Sequence, residues 1–170
     1  MYKTIKMTAA GLACAAVFAV GSHAAHAADV LGVKTIGTEL ARDVADKTVA
    51  ACTAKGYSVS AVVVDRGGNT IAVLRSQFAA VQTITIAGGK ARGAIMAGTP
   101  TSELRASRPE LAANLNLLED VKMMDGGLPI NAAGVRIGAV GVSGAPGGDI
   151  DEACAQEALD ELADRYEFAQ

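Results

Sequence analysis

A serine stands between glycines near the end of the chain, in the run Gly138–Ala155, which reads GAVGVSGAPGGDIDEACA. Such a run suits three functions: a nucleophilic serine, a glycine loop that binds an anion, or a tight turn from a strand into a helix. The nucleophile elbow G-x-S-x-G needs a second glycine two residues after the serine. Ala145 occupies that position, so the local pattern argues against Ser143 as a nucleophile.

A nucleophilic serine also needs a base, and histidine is the usual one. The two histidines of the chain are His23 and His26. Both lie in residues 1–27, a segment that we expect to be removed on export. Residues 28–170 then have no Ser-His or Cys-His pair and no imidazole metal ligand. The remaining residue types therefore favour binding over catalysis; we assign no catalytic residue, and the sequence leaves a metal site undetermined.

Residues 1–27 have the three parts of a Sec-type signal peptide. Two lysines give the positive start, residues 7–20 form the apolar stretch, and Ala-His-Ala at 25–27 is a small-x-small cleavage site. The apolar stretch is shorter than the roughly 20 residues that span a bilayer, which argues against a retained membrane span. We therefore expect cleavage after residue 27 and a periplasmic or secreted protein with a single domain over residues 28–170.

The charge of the chain excludes one class of partner. Cleavage after residue 27 removes two lysines and no acidic residue, so the formal net charge changes from −3 to about −5. Nucleic-acid binding normally requires a basic surface. The composition therefore predicts no nucleic-acid partner.

Two cysteines, Cys52 and Cys154, remain after residue 27. In an oxidising compartment they can form one intramolecular disulfide, which would close a loop of about 100 residues. The alternative is a pair of buried thiols that pack as small apolar residues. The sequence leaves both alternatives open.

The hydrophobic pattern predicts an α/β sandwich (α-β-α) with a mainly antiparallel sheet and both terminal helices on one face. Apolar steps of three and four indicate helices, and β-branched runs around the turn Asp-Arg-Gly-Gly-Asn indicate a hairpin. The first half of the chain is predicted to form a helix over 33–54, strands over 57–65 and 70–76, and a helix over 83–97. Two short helices follow, one with Thr101 or Ser102 as its cap and one that begins at Arg108–Pro109. A loop over 119–134, a strand over 135–143 and a helix from Asp149 to Tyr166 complete the chain, and Glu152 is the capping-box partner of Asp149.

Three glycines, Gly88, Gly89 and Gly93, interrupt the helix predicted over residues 83–97. Each weakens a helix by about 1 kcal/mol relative to alanine. We therefore expect them to allow a close approach of another backbone, such as that of a neighbouring subunit. The Gly-Gly-Lys run is not a phosphate-binding loop, because Ile84 stands where the first glycine belongs and an alanine follows the lysine.

Five glycine-containing motifs follow one another along residues 62–155. They read VVVDRGGNTIAVLR, IAGGKARGA, GTPTSEL, GGLPI and IGAVGVSGAPGGDIDEACA. In this order they resemble the GlcG/HbpS haem-binding family, which includes the C-terminal domain of PduO-type proteins. The resemblance implies a profilin-like fold, a homo-oligomer and a role in haem sensing or handling, and a haem-degrading label is also attached to the family.

Haem needs an apolar slot, cations for its propionates and usually an axial ligand. Family members commonly carry Arg-x-Asp-Gly-Ala after the second strand, whereas residues 75–79 read RSQFA, so a site built on that acid would be lost here. The ligand-binding candidates are Arg75, Thr83, Lys90, Arg92, Met96, Gly126, Gly127, Pro129 and Ser143, with Tyr57, Thr85, Arg105, Met123 and Met124 as further donors.

Two other functions remain open on the sequence. One is an enzyme acting on a small organic substrate, if Asp65, Lys90, Ser143 and Asp151 converge at the glycine loop. The other is an oligomer that binds a small molecule or a protein partner, which suits the alanine- and glycine-rich composition.

Overall fold

The structure is a computed structural model that describes residues 31–168. The signal peptide predicted over residues 1–27 lies outside this range and stays a prediction. No helix within the described range is long and apolar enough to cross a membrane. The elements run in the order α1 (Thr38–Ala54), β1 (Ser60–Asp65), β2 (Thr70–Arg75), α2 (Gln82–Ala97), α3 (Thr101–Ser107), α4 (Pro109–Leu115), β3 (Gly127–Ala132), β4 (Val135–Ser143) and α5 (Gly148–Leu162), followed by a 3-10 turn (Ala163–Arg165).

The four strands form one antiparallel sheet in the order β2-β1-β4-β3. The predicted hairpin is confirmed, since β1 pairs with β2 and Val63 lies opposite Ala72. On its other side, β1 pairs with β4, and Val63 lies opposite Val140. β1 and β4 are therefore the central strands, which explains why β1 is apolar on both faces.

Helices cover both faces of the sheet. Successive residues of a strand point to opposite faces, so alternate residues of β1 pack against different helices. Helices α1 and α5 share one face, and α2 covers the other. The predicted α/β sandwich with its terminal helices on one face is confirmed. The α1–α5 face includes Val44, Val63, Val140, Leu159 and Leu162, and the α2 face includes Val62, Val64, Ala87, Ala91 and Ala139.

A disulfide joins the two terminal helices. Cys52 of α1 and Cys154 of α5 are bonded across a sequence separation of 102, with their Cα atoms 5.4 Å apart. Both residues are fully buried in the core. The sequence leaves open a disulfide or two buried thiols, and the structure shows the disulfide.

The glycines of α2 allow a close backbone approach, as predicted, and the approaching segment belongs to the same chain. The backbone N–H of Lys122 donates to the carbonyl oxygen of Gly89 (2.9 Å). A Cβ atom on Gly93 would lie 2.6 Å from the carbonyl oxygen of Lys122. On β4, a Cβ atom on Gly141 would lie 2.0 Å from the carbonyl oxygen of Ala87. These glycines let α2 press against the sheet on one side and against the segment before β3 on the other.

The prediction of a loop over residues 119–134 is wrong in its second half, where β3 forms. Gly127, Pro129 and Asn131 have low strand propensity. β3 is an edge strand, however, and proline is tolerated at an edge because its missing N–H can face away from the neighbouring strand. Pairing with β4 over Gly127–Ala132 thus overrides the local preference.

One predicted helix start and the predicted caps of two other helices are also wrong. α1 begins at Thr38 rather than at residue 33, because the backbone N–H of Ile36 donates to a carbonyl oxygen of β4 and holds the preceding stretch extended. Neither Thr101 nor Ser102 caps α3, and Asp149 does not cap α5. The hydroxyl groups of both α3 residues bond instead to groups that are distant in sequence.

Candidate functional site

A cleft of about 360 Å³ lies where the end of β4, the loop before α5 and one side of α2 meet. We call it the glycine-loop cleft. It falls within the size range of small-molecule sites, which is roughly 300–1,000 Å³. Its lining residues are Ile86, Lys90, Arg105, Met124, Asp125, Ser143, Gly144, Ala145, Pro146, Gly147, Gly148 and Asp151.

A buried ion pair lies at the inner end of the cleft. The Lys90 ammonium donates to Asp151 Oδ2 (2.8 Å) and to the carbonyl oxygen of Val142 (2.7 Å). The two charged side chains are 3% and 4% exposed. The second oxygen of Asp151 accepts a hydrogen bond from the backbone N–H of Ala145 (3.0 Å). This network ties α2 and α5 to the end of β4, because a buried charge is tolerated when it is paired and hydrogen-bonded.

An ammonium group has three protons to donate. Two of those on Lys90 have acceptors, and the third has none within residues 31–168. Because Lys90 lines the cleft, this proton is available to a ligand there. The ion pair therefore has a structural role and leaves one donor for binding.

Ser143 supplies a second donor to the cleft. It is 7% exposed, it lines the cleft, and its hydroxyl has no hydrogen-bond partner in the described range. It lies opposite Ser60 in the sheet, and Ser60 Oγ is 2.7 Å from Thr83 Oγ1 of α2. Ser143 therefore faces α2. Among residues 31–168, no base lies within hydrogen-bonding distance of its hydroxyl.

The mouth of the cleft carries Arg105, Met124 and Asp125. Arg105 donates to Asp125 Oδ2 (2.6 Å), while Asp125 Oδ1 is buried and has no partner among the described residues. The Thr101 hydroxyl donates to the carbonyl oxygen of Met124 (2.7 Å) and accepts from the backbone N–H of Gly127 (3.0 Å). These bonds hold the Met124 backbone in place, and its side chain is 48% exposed.

The paired glycines Gly126 and Gly127 support the cleft from behind. Gly126 has φ +109°, which favours glycine, and its backbone N–H donates to Glu152 Oε2 (3.1 Å). A Cβ atom on Gly126 would lie 3.0 Å from Lys90 Nζ, and one on Gly127 would lie 2.3 Å from the carbonyl oxygen of Lys90. Both positions need glycine because the buried lysine packs directly against their backbone.

The family model described as "Haem degrading protein HbpS-like" matches residues 36–160. The chain belongs to the HbpS-like family. The amino-acid sequence is 36% identical to that of the protein in the crystal structure of HbpS. The two structures match with a TM-score of 0.75, and the match covers 82% of this chain and 98% of that one. Protein ORFY of Klebsiella pneumoniae is 32% identical, with a TM-score of 0.72 over 79% of this chain and 95% of that one.

A structure of the PduOC:haem complex is 23% identical, with a TM-score of 0.66 over 74% of this chain and 94% of that one, and it shows a likeness of fold. No curated protein sequence matches the chain. The resemblance expected from the five motifs is therefore confirmed by the family model and by solved structures.

The glycine-loop cleft of this HbpS-like chain contains some of the residues that the sequence singled out. Lys90 and Ser143 line it, and Asp151, considered with them as an enzyme residue, does so too. Asp65 does not join them, because its carboxylate accepts hydrogen bonds from the backbone N–H groups of Gly67 and Asn69 in the β1–β2 turn. The prediction that four polar residues converge at the glycine loop is therefore wrong for Asp65.

Five other candidates lie outside the lining of the cleft. Arg75 donates to the carbonyl oxygen of Ala79 (2.6 Å), and Thr83 is bonded to Ser60. Arg92 extends towards Thr70 of β2 (3.5 Å). Met96 lies in the last turn of α2, with its side chain 51% exposed, and Pro129 is part of β3.

Sequence reasoning did not select Asp125 and Ile86, and it did not separate Met123 from Met124. Met123 is 1% exposed and packs with Ala112 and Val121 in the core, so it cannot reach a ligand. A signal for Ile86 was available, since it lies four residues before Lys90 on the same face of α2. The position of Asp125 follows from the fold of the segment before β3 and has no local signal.

Proposed function

We propose that the protein binds haem or a closely related tetrapyrrole, and that it handles or senses this ligand as an exported homo-oligomer. The family match over residues 36–160 carries the proposal. Binding is favoured over catalysis because the chain has histidine only at positions 23 and 26. In addition, Lys90 and Asp151 are paired with each other in the buried network that ties α2 and α5 to β4.

The mouth of the glycine-loop cleft offers what haem needs, namely apolar surface, a cation and an axial donor. Ile86 and Pro146 supply apolar surface, and the Arg105 guanidinium, with its side chain 56% exposed, is available to a propionate. Met124 presents a thioether at the same place. The cysteines of the described range form the disulfide and cannot serve as thiolate ligands. Haem would supply iron chemistry when bound, while these residues would hold and orient it.

A haemin titration tests the proposal, with the Soret absorption band as the readout. We expect a saturable shift at stoichiometric haemin, and we expect Met124→Leu to change the Soret position or weaken binding. Met96→Leu is the matched control, because Met96 is similarly exposed but lies outside the cleft. No saturable shift with wild type would refute haem binding, and equal effects of the two variants would refute the assignment of Met124.

Export is supported by the Cys52–Cys154 disulfide, because disulfides persist mainly in oxidising compartments. We expect the intact mass of the protein from cells to match a chain that begins at Ala28 and has lost two hydrogen atoms at the disulfide. A mass that includes residues 1–27 would refute processing. A mass with two free thiols would refute the bridge.

Oligomer formation is supported by large apolar side chains on the surface of the described range. Phe78 and Val81, close together before α2, are highly exposed, and so is Leu117 after α4. Exposed apolar surface of this kind often marks contacts between subunits. Light scattering should give the mass of a multimer, and a monomer mass at all concentrations would refute this part of the proposal.

A further inference from the structure

We propose that the inner end of the glycine-loop cleft is a binding site for a carboxylate group. The proposal goes beyond haem binding, because the carboxylate can belong to a free small organic acid or to the propionate of a bound tetrapyrrole. The observation that carries it is a pair of donors, the third proton of Lys90 and the hydroxyl of Ser143, which face one cleft and have no acceptor in the described range.

The Ser143 residue is more than nine-tenths buried, and its hydroxyl reaches the cleft, where the described residues offer it no partner. In the free protein this hydroxyl bonds to solvent in the cleft. A ligand oxygen in the cleft would accept its proton in place of water. The same oxygen, or the second one of a carboxylate, would accept the remaining proton of Lys90.

Arg105 supplies a third donor at the mouth. A guanidinium has five N–H groups, and the hydrogen bond to Asp125 uses one nitrogen of the group. The remaining donors are free to hold a carboxylate that enters the cleft, because guanidinium groups match the planar geometry of carboxylates.

The charges of the cleft favour a carboxylate over a phosphate. Lys90 and Arg105 are balanced by Asp125 and Asp151, so the four charged lining residues sum to zero. A single negative charge can be accepted by three donors, whereas a phosphate dianion would bring a second charge close to two carboxylates. Like charges at such distances repel.

Sodium propionate is the probe for a free acid, with propionamide as its neutral isostere and inorganic phosphate as the competing anion. In an NMR titration of the folded protein, we expect propionate to produce saturable shifts at the backbone amides of Gly144, Ala145, Gly147 and Gly148. Propionamide and phosphate should produce much smaller ones. Equal binding of propionamide, preferred binding of phosphate, or no saturable shift would each overturn the proposal.

Two variants assign the site without breaking the buried ion pair. Ser143→Ala should weaken propionate binding about three- to tenfold, while the free protein stays about as stable as wild type. Arg105→Gln should weaken it about tenfold or more. Ser76→Ala is the control, because its hydroxyl is also unpartnered in the described range but is buried outside the cleft. The assignment is wrong if Ser143→Ala destabilises the free protein or if neither cleft variant weakens binding.

Haemin and its dimethyl ester separate the two sources of the carboxylate. If a propionate occupies the site, haemin should bind more tightly than the ester, and free propionate should compete with it. If haemin fails to bind while propionate does, haem binding is refuted and the site serves a small acid. If haemin and its ester bind equally and propionate does not bind, haem binding stands and the carboxylate site is refuted.

Discussion

The buried ion pair between Lys90 and Asp151 provides the sharpest test of how the cleft is built. Lys90→Met keeps the length of the side chain and removes its charge, which leaves the Asp151 carboxylate with the backbone N–H of Ala145 as its hydrogen-bond donor. Breaking a buried pair from one side costs about 3–5 kcal/mol, because the remaining charge stays desolvated. With both side chains less than 5% exposed, we expect a loss in this range. For an m-value of roughly 2 kcal/mol/M, the urea midpoint should fall by about 2 M.

Urea unfolding followed by circular dichroism, with the disulfide intact, measures this loss. Lys90→Met combined with Asp151→Asn should recover much of it, because no charge then remains buried and the amide oxygen still accepts from Ala145. Lys47→Met is the matched control, since Lys47 pairs with Glu161 on the surface and exposed pairs contribute little. The reasoning is refuted if Lys90→Met costs no more than Lys47→Met, or if the double variant is as unstable as the single one.

Three further predictions concern the framework of the fold. Replacing Cys52 and Cys154 by alanine should lower the free energy of unfolding by up to about 4.7 kcal/mol, because the bridge closes a long loop; a loss below that of the Lys47→Met control in the same urea assay would contradict it. Gly141→Ala should cost at least about 3 kcal/mol, because its methyl group would collide with a carbonyl oxygen of α2, whereas Gly32→Ala meets nothing within 4 Å and should cost less than about 0.5 kcal/mol. Although desolvation raises the pKa of the Asp65 carboxyl, hydrogen bonds from the β1–β2 turn lower it below the ordinary value of 3.8 overall. The stability that the ionised Asp65 contributes is therefore present above pH 3.8 and is lost as the pH falls through the folded-state pKa. Asp65→Asn should therefore reduce the loss of stability at acid pH, measured as the free energy of unfolding against pH. An unchanged loss of stability at acid pH would be evidence against this role.

Periodicity predicted most of the secondary structure because its cause is local. The β-branched run at residues 62–64 and the apolar steps of α1 each depend on neighbours within about two turns or a few strand positions. β3 was not predicted because several of its residues have low strand propensity and its formation depends on pairing with β4. The start of α1 and the missing side-chain cap of α3 were mispredicted for the same reason, since hydrogen bonds to distant segments decide them.

The candidate site was predictable in part. Lys90 and Ser143 belong to motifs that stand out in the sequence, and the glycine loop after β4 was identified as a possible anion loop. Arg75 and Arg92 carry the same charge as Lys90 and were equally good candidates on sequence grounds. Only their contacts separate them, because Arg75 and Arg92 reach groups near β2 while Lys90 reaches Asp151.

The sequence by itself determined that residues 28–170 contain no imidazole, that strands and helices follow one another as they do, and that glycines concentrate near Lys90 and Ser143. Only the tertiary structure decided that Lys90 contacts Asp151, 61 residues away, and that Ser143 faces a cleft in which its hydroxyl has no hydrogen-bond partner among the described residues. The physical reason is that residue type and hydrophobic period determine local backbone structure over a few positions. A buried hydrogen bond forms only where the packing of α2 and α5 on the sheet removes water and brings a partner within reach.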